Sequence, residues 1–220
     1  MAQNMMVAKT QLYLVLELAG SEPTVERYGA LFDPQIVPSL LIVPEHDRKP
    51  DAAALQAFVA VAQHHDVAVL IADDVELAAE TGADGVHLSA TSGDDLLIER
   101  YRAARESLGA NAIIGGDAGF SRHDAMALGE AGANYVAFSP RTGPAADQSI
   151  SPEDAQRDMV SWWADIFEIP VVALGVADEQ TARSFAGLNA DFVARKVPAG
   201  LSPADLRDWL QSAHKAVSSD

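Results

Sequence analysis

The phrase ETGADGVHLS at residues 80–89 is nearly repeated as EAGANYVAFS at residues 130–139. A weaker third copy, GLNADFVARK, occupies residues 187–196. The phrase predicts that a helix ends, that Gly82 and Gly132 turn the chain through the left-handed conformation, and that a strand follows. In that strand Val86 and Val136 are expected to face the core. The repetition therefore indicates a structural unit that the chain uses more than once.

Outward from this phrase, short apolar runs alternate with longer segments of helical period, the pattern of successive βα units on a parallel sheet. The helix starts carry polar caps or early prolines, at Pro23, Asp51, Asp73, Ser121, Ser151–Pro152, Asp178 and Ser202–Pro203. Eight strands are predicted, at residues 12–16, 39–43, 67–71, 85–88, 112–115, 135–139, 171–174 and 192–195. Eight strands, each followed by a helix, predict one α/β domain over residues 1–220, a closed (β/α)₈ TIM barrel.

Composition limits the partners of this barrel. The 15 basic and 32 acidic residues give a net charge of −17, which repels the backbone of a nucleic acid, so we expect no nucleic-acid partner. No segment has the roughly 20 apolar residues that span a bilayer, and the first residues lack a signal-peptide core, which predicts a cytoplasmic protein without a membrane partner. The chain has no cysteine. An anionic substrate would therefore need a local basic patch or backbone N–H groups.

Four stretches carry a resemblance to a known family: QLYLVLEL at 11–18, LIADDVELAAETGADGVHLS at 70–89, IIGGDAGFSRHDAMALGEAGANYVAFSP at 113–140 and PVVALGV at 170–176. In order and spacing they resemble the thiamine-phosphate synthase and thiazole tautomerase superfamily. The resemblance implies a barrel that joins a pyrimidine pyrophosphate to a thiazole phosphate. It also implies that Mg²⁺ holds the pyrophosphate leaving group.

The metal position of the family carries over to Asp73, which follows the third strand. The alternative is that Asp73 caps a helix, with Glu76 as its capping-box partner. Ser92 stands where the resemblance implies a second metal-binding Asp. Asp94 and Asp95 could replace it, although their charge also suits the start of a helix.

The second strand departs from the family. The resemblance implies inward Gln, Arg and Lys side chains that hold pyrophosphate, but the chain reads SLLIVPEHDRKP at 39–50, with apolar inward positions. Arg48 and Lys49 lie in the loop that follows, beside acidic residues. We expect a solvated charged turn there, and the alternative is a loop that folds over the barrel to reach a phosphate.

Other pocket residues are expected at the ends of the middle strands. Asp117 replaces a Ser/Thr loop of the family and adds a negative charge, while Ser139 and Arg141 begin a loop that resembles the family's Gly-Pro-x-x-x-Thr loop. Pro140 stands where the tautomerase branch has a catalytic His, which argues against tautomerase chemistry. His87 is either a general acid or base, or a hydrogen-bonded histidine of the core. No residue is assigned as catalytic.

A phosphate site is predicted at the last two strand ends, where barrels of this kind bind phosphate. Gly175 lets the backbone approach an anion, and Arg195 and Lys196 are adjacent cations at the end of the eighth strand. Thr142 and Gly143 are expected to form the facing wall. The alternative is that the two cations pair with surface carboxylates.

Two hypotheses about function follow. The first is a divergent thiamine-phosphate synthase, a transferase of thiamine biosynthesis with a weakened pyrophosphate site. The second is a barrel that binds a phosphorylated small molecule, or regulates a partner, without this reaction. In the sixth helix Met159, Trp163 and Ile166 share one face, and the adjacent Trp162 cannot point the same way. One of the two tryptophans is therefore predicted to mark the contact of a homodimer.

Overall fold

The computed structural model describes residues 10–20, 25–45, 49–90, 96–140 and 150–218, and it confirms the predicted barrel. The strands are β1 Gln11–Leu18, β2 Ser39–Pro44, β3 Ala68–Ala72, β4 Gly85–Leu88, β5 Ile113–Asp117, β6 Tyr135–Phe138, β7 Val171–Ala173 and β8 Phe192–Lys196. The helices are α1 Val25–Tyr28, α2 Ala52–His64, α3 Val75–Thr81, α4 Leu96–Leu108, α5 Arg122–Glu130, α6 Pro152–Ile166, α7 Glu179–Ala186 and α8 Pro203–Ser218. A 3₁₀ turn, Gly29–Leu31, follows α1.

All eight strands are parallel and follow chain order around a closed barrel. β8 pairs with β1 in a register that sets Gln11 beside Phe192 and Val15 beside Lys196. Closure leaves no exposed sheet edge. None of the described helices combines the length and the apolar composition needed to cross a bilayer. That residues 1–220 form one domain stays a prediction.

Side chains alternate between two apolar layers, because successive residues of a strand face opposite sides of the sheet. The inner layer fills the barrel, and the larger outer layer lies between the strands and the helices. Val86 and Val136 belong to the outer layer and are fully buried. The inner layer consists of Tyr13, Leu41, Leu70, Ala72, Tyr135, Ala137, Val172 and Ala194.

The repeated phrase is a helix stop that the chain uses three times. Gly82 and Gly132 have φ of +69° and +88°, as predicted, and Asn189 holds the equivalent position in the third copy with φ of +59°. The amide of the next residue, an alanine in each copy, donates to the carbonyl five residues earlier, at 3.1, 3.0 and 3.3 Å. These are the 6→1 bonds of a Schellman motif, which close a helix end.

The acidic or amide residue of each copy ties the helix stop to the preceding strand. Asp84 accepts a hydrogen bond from the backbone N–H of Val69 in β3 at 2.7 Å. The other two copies repeat this contact: Asn134 accepts from Ile114 at 2.9 Å and Asp191 from Val171 at 2.8 Å. The phrase therefore sets both the turn and the position of the next strand beside the previous one.

Two predictions about α3 and α6 need correction. Asp74, not Asp73, is the N-cap of α3, because the Asp74 side chain accepts from the Leu77 amide at 3.0 Å. Ile166 does not share the buried face of α6: the residue is 63% exposed, because it is the last residue of the helix. The predicted caps at residues 51, 121, 151, 178 and 202 are confirmed. Pro23 lies outside the described residues.

The tryptophan pair divides between core and surface as expected for neighbouring helical positions. Trp163 is fully buried and donates to the Ile169 carbonyl at 2.8 Å. Trp162 is partly buried, packs edge-on to Phe167 at 5.4 Å, and lies under the Arg122 guanidinium at 4.7 Å. The homodimer stays a prediction.

Candidate functional site

A cavity of about 270 Å³ opens at the end of the barrel where the strands terminate. Its walls come from β1 to β5, β7 and β8 and from the residues just after them, so it occupies the position of the active site in barrels of this class. The cavity is lined by Val15, Leu41, Val43, Ala72, Asp73, His87, Ser89, Asp117, Leu174, Gly175, Val176, Ala194 and Lys196.

Asp73 lies at the rim of this cavity, directly after β3, in the left-handed conformation with φ of +57°. Its Oδ1 accepts from the Ser89 amide at 2.8 Å and from the guanidinium of Arg100 on α4. Arg100 also donates to the Ser89 carbonyl at 3.0 Å. Partial burial alone would raise the pKa of Asp73, but the bonds from Ser89 and Arg100 outweigh it and hold the pKa below its usual range. Asp73 is therefore an anchored carboxylate with a cation already beside it.

Asp117 ends β5 on the inner face and is buried, with 5% of its surface exposed. Its Oδ1 accepts from the amide of Gly119 at 2.8 Å and from the amide of Ser139 at 3.1 Å. The second bond ties the end of β5 to the end of β6, so Asp117 fixes the start of the loop at Ser139. This carboxylate forms part of the cavity wall.

His87 forms part of the cavity wall at the top of a buried hydrogen-bonded chain. Its Nδ1 lies 2.8 Å from the Tyr135 hydroxyl, which in turn lies 2.8 Å from the Tyr13 hydroxyl. Burial lowers the pKa of His87, and the charges of Asp117 and Asp73 oppose this shift only in part. The imidazole is therefore neutral near pH 7. Both predicted roles remain compatible with the structure, because His87 is a bonded core residue that also reaches the cavity.

Gly115 makes room for the ring that holds His87. A Cβ atom at Gly115 would lie 2.1 Å from the Tyr135 ring, a distance that no side chain tolerates. The glycine in the middle of β5 is thus required by the close approach of Tyr135, which the sequence does not reveal.

The predicted cations do not meet at one place. Lys196 faces the cavity and pairs with Glu17 across β1 and β8 at 2.6 Å. Arg195, one residue earlier, faces the opposite side of the sheet. Its guanidinium lies 5.8 Å from the centre of the Trp209 ring on α8, and only 6% of the residue is exposed. Burial lowers the pKa of Arg195, and Glu179 and Asp178 partly offset this.

The remaining predicted positions line the cavity, lie away from it, or fall outside the described residues. Gly175 lines the cavity with φ of +66°, and a Cβ atom at this position would lie 3.0 Å from the Pro140 ring. The apolar inward positions of β2 are confirmed, since Leu41 and Val43 line the cavity. Lys49 pairs with Asp74 at 2.6 Å, away from the cavity lining. Predicted positions outside the described residues are Arg48, Ser92, Asp94, Asp95, Arg141, Thr142 and Gly143.

Sequence reasoning missed Arg100 and Glu17, the two charged residues that neutralise Asp73 and Lys196. Both contacts join positions far apart in the chain, so no local pattern indicates them. The opposite directions of Arg195 and Lys196 did have a signal, because neighbouring strand residues alternate faces. Within the described ranges no three histidine or acidic side chains gather closely enough to hold a metal ion.

Comparison with known proteins gives a consistent result. The family model described as thiamine monophosphate synthase matches residues 23–196. A thiamine-phosphate synthase of Erythrobacter litoralis is 38% identical over 152 residues, which cover 69% of this chain and 67% of that protein. A thiamine-phosphate synthase of Rhodospirillum centenum is 36% identical over 148 residues, covering 66% of this chain and 68% of that protein.

Among solved structures, the thiamine phosphate pyrophosphorylase of Pyrococcus furiosus superposes with a TM-score of 0.67 at 18% identity. The superposition covers 96% of this chain and 97% of that one. At this identity the likeness supports the barrel fold and nothing more specific.

Proposed function

The chain belongs to the thiamine monophosphate synthase family, and from this premise we propose that it joins a hydroxymethylpyrimidine pyrophosphate to a thiazole phosphate. In this reaction the bond between the methylene carbon on the pyrimidine and the pyrophosphate oxygen breaks, and pyrophosphate leaves with the electron pair. The ring nitrogen of the thiazole donates its lone pair to the same carbon and forms the new C–N bond. The observation that supports the proposal is the cavity at the strand ends, with Lys196 and Gly175 on one side of it. Both substrates are phosphorylated small molecules.

Lys196 and the backbone around Gly175 are the groups we assign to a substrate phosphate. The Lys196 side chain faces the cavity, and its partner Glu17 is half-exposed, so an anion can compete for the ammonium group. Glycine at position 175 lets an anion approach the backbone N–H groups closely. Arg195 was assigned to the same site from the sequence, but its direction toward Trp209 leaves Lys196 as the cation that lines the cavity among the described residues.

Magnesium is used by thiamine-phosphate synthases in general, and Asp73 is the residue onto which the resemblance carries a metal ligand. Asp73 offers a carboxylate at the rim, but one oxygen already contacts Arg100 and the Ser89 amide. By themselves the described residues do not form a magnesium site, because no three acidic or histidine side chains among them gather closely enough to hold the ion. Arg100 supplies the positive charge beside Asp73, and we assign to Arg100 the role of orienting this carboxylate.

The direct test is to incubate the purified protein with both substrates and magnesium and to measure thiamine phosphate by mass spectrometry. We expect product above a no-protein blank. Replacing Lys196 by Ala should raise the KM for the thiazole phosphate roughly ten-fold, because a charge-assisted hydrogen bond is lost. Lys49→Ala is the matched control, since Lys49 also pairs with one acidic side chain but does not line the cavity. Equal effects of the two substitutions would remove Lys196 from the phosphate site.

A second candidate function is supported by β2, where Leu41 and Val43 occupy inward positions that the resemblance would give to polar and cationic residues. We propose as the alternative that the barrel binds a phosphorylated small molecule without synthase chemistry. Calorimetric titration with thiazole phosphate distinguishes the two. Binding without product formation supports the alternative, whereas product formation excludes it.

A further inference from the structure

A second cavity, of about 320 Å³, lies at the opposite end of the barrel, where the strands begin. We call it the lower cavity. Its floor and walls come from the first residues of β2, β3, β5 and β8 and from the residues that precede β6 and β7. It is lined by Tyr13, Pro38, Ser39, Ala68, Leu70, Ile113, Asn134, Tyr135, Pro170, Val172 and Phe192.

The space exists because small side chains point inward at the start of two neighbouring strands. Ser39 begins β2 and Ala68 begins β3, and the register pairs them directly. Larger residues at these positions would fill the bottom of the barrel, as branched side chains commonly do in this fold. The lower cavity is therefore a consequence of two particular residues rather than of the fold.

The lining favours an aromatic occupant. Tyr13 packs edge-on against Tyr135 at 5.9 Å and against Phe192 at 6.4 Å, so three rings already form an edge-to-face cluster. A further ring would extend this cluster with favourable geometry. Apolar cavities of about 150 Å³ remain dry and bind benzene, and the lower cavity is larger than that.

One polar atom points to a ligand with a hydrogen-bonding group. Ser39 lines the lower cavity and is only 9% exposed, and its hydroxyl oxygen is buried without a hydrogen-bond partner among the described residues. A buried hydroxyl without a partner costs free energy that an occupant with one polar group would recover. We propose that the lower cavity binds a small aromatic molecule that carries one hydrogen-bonding substituent, which contacts Ser39.

The lower cavity is distinct from the cavity at the strand ends. The side chains of Tyr13, Leu70, Tyr135 and Val172 lie between the two, and none of them lines the upper cavity. Tyr135 nevertheless connects them, because its ring lines the lower cavity while its hydroxyl bonds to His87 above. An occupant would therefore contact the residue that positions His87. This proposal does not depend on the synthase reaction.

The test uses phenol, and toluene as its counterpart without a hydroxyl, in calorimetric titrations of the full chain. We expect both to bind the parent protein, with phenol the tighter ligand. Ser39→Ala should weaken phenol binding about five-fold, the equivalent of one net hydrogen bond, and leave toluene binding unchanged. A Ser39→Ala protein that binds phenol as tightly as the parent would exclude the assigned contact.

Two matched substitutions on β3 locate the binding site. Ala68→Leu fills the lower cavity and should abolish binding of both probes, whereas Ala72→Leu places the same side chain in the upper cavity and should leave both affinities unchanged. Circular dichroism confirms that each variant is folded. If phenol and toluene do not bind the parent chain, the lower cavity is closed to solutes or filled by the chain itself, and the proposal is wrong. Loss of binding in Ala72→Leu alone would move the site to the upper cavity.

Discussion

At the scale of single residues, His87 shows how position changes chemistry. In the sequence it is one histidine in an apolar strand, and in the structure its ring stacks on Tyr135 and shares a hydrogen bond with that residue's hydroxyl. Only 2% of its surface is exposed, so a positive charge on the ring would lose most of its hydration. The same neutral ring can serve as a hydrogen-bonding group for a substrate in the upper cavity.

The lowered pKa of His87 makes stability depend on pH in a defined direction. The unfolded chain takes up a proton near the ordinary value of 6.5, while the folded chain resists it, so acid favours unfolding. The contribution of His87 is present above about pH 6.5 and is lost as the pH falls toward the folded-state pKa. We expect urea titrations of the parent to show a steeper loss of unfolding free energy below this pH than those of His87→Gln. His64→Gln, at the exposed end of α2, controls for the removal of one histidine. Parallel curves for the parent and His87→Gln would contradict the assignment.

At the scale of elements, the helix stop is the unit that the sequence repeats. In all three copies a residue with positive φ ends the helix, and an Asp or Asn side chain binds the backbone of the previous strand. The first feature is encoded by residue type, because glycine and asparagine tolerate the left-handed conformation. The second feature explains why the polar residue follows in every copy.

Gly82→Ala tests the conformational part of this motif. A Cβ at Gly82 would have no heavy atom within 4 Å, so the cost of the substitution comes from φ of +69° alone. We expect the free energy of unfolding to fall by about 1 kcal/mol. Gly29→Ala is the control, because that glycine also has open space around it but no positive φ. Equal stability of the two variants would show that the conformation at Gly82 carries no cost.

At the scale of the whole molecule, pairing between β1 and β8 joins the first and last strands and closes the barrel. Neither half can complete its sheet without the other, because each would expose two strand edges. We therefore expect residues 1–220 to unfold as one cooperative unit. In a urea titration, far-ultraviolet circular dichroism and tryptophan fluorescence should give coincident transitions. Two separated transitions would divide the chain into more than one folding unit.

The sequence by itself determined the number and order of strands, most helix starts, the left-handed turns at Gly82 and Gly132, and the apolar inward face of β2. These features are local: each depends on residue type and on spacing along a short segment. Only the tertiary structure placed Arg100 beside Asp73, Glu17 beside Lys196, and Tyr13 and Tyr135 beneath His87. The physical reason is that these contacts join residues on different strands and helices, which meet only when the barrel closes.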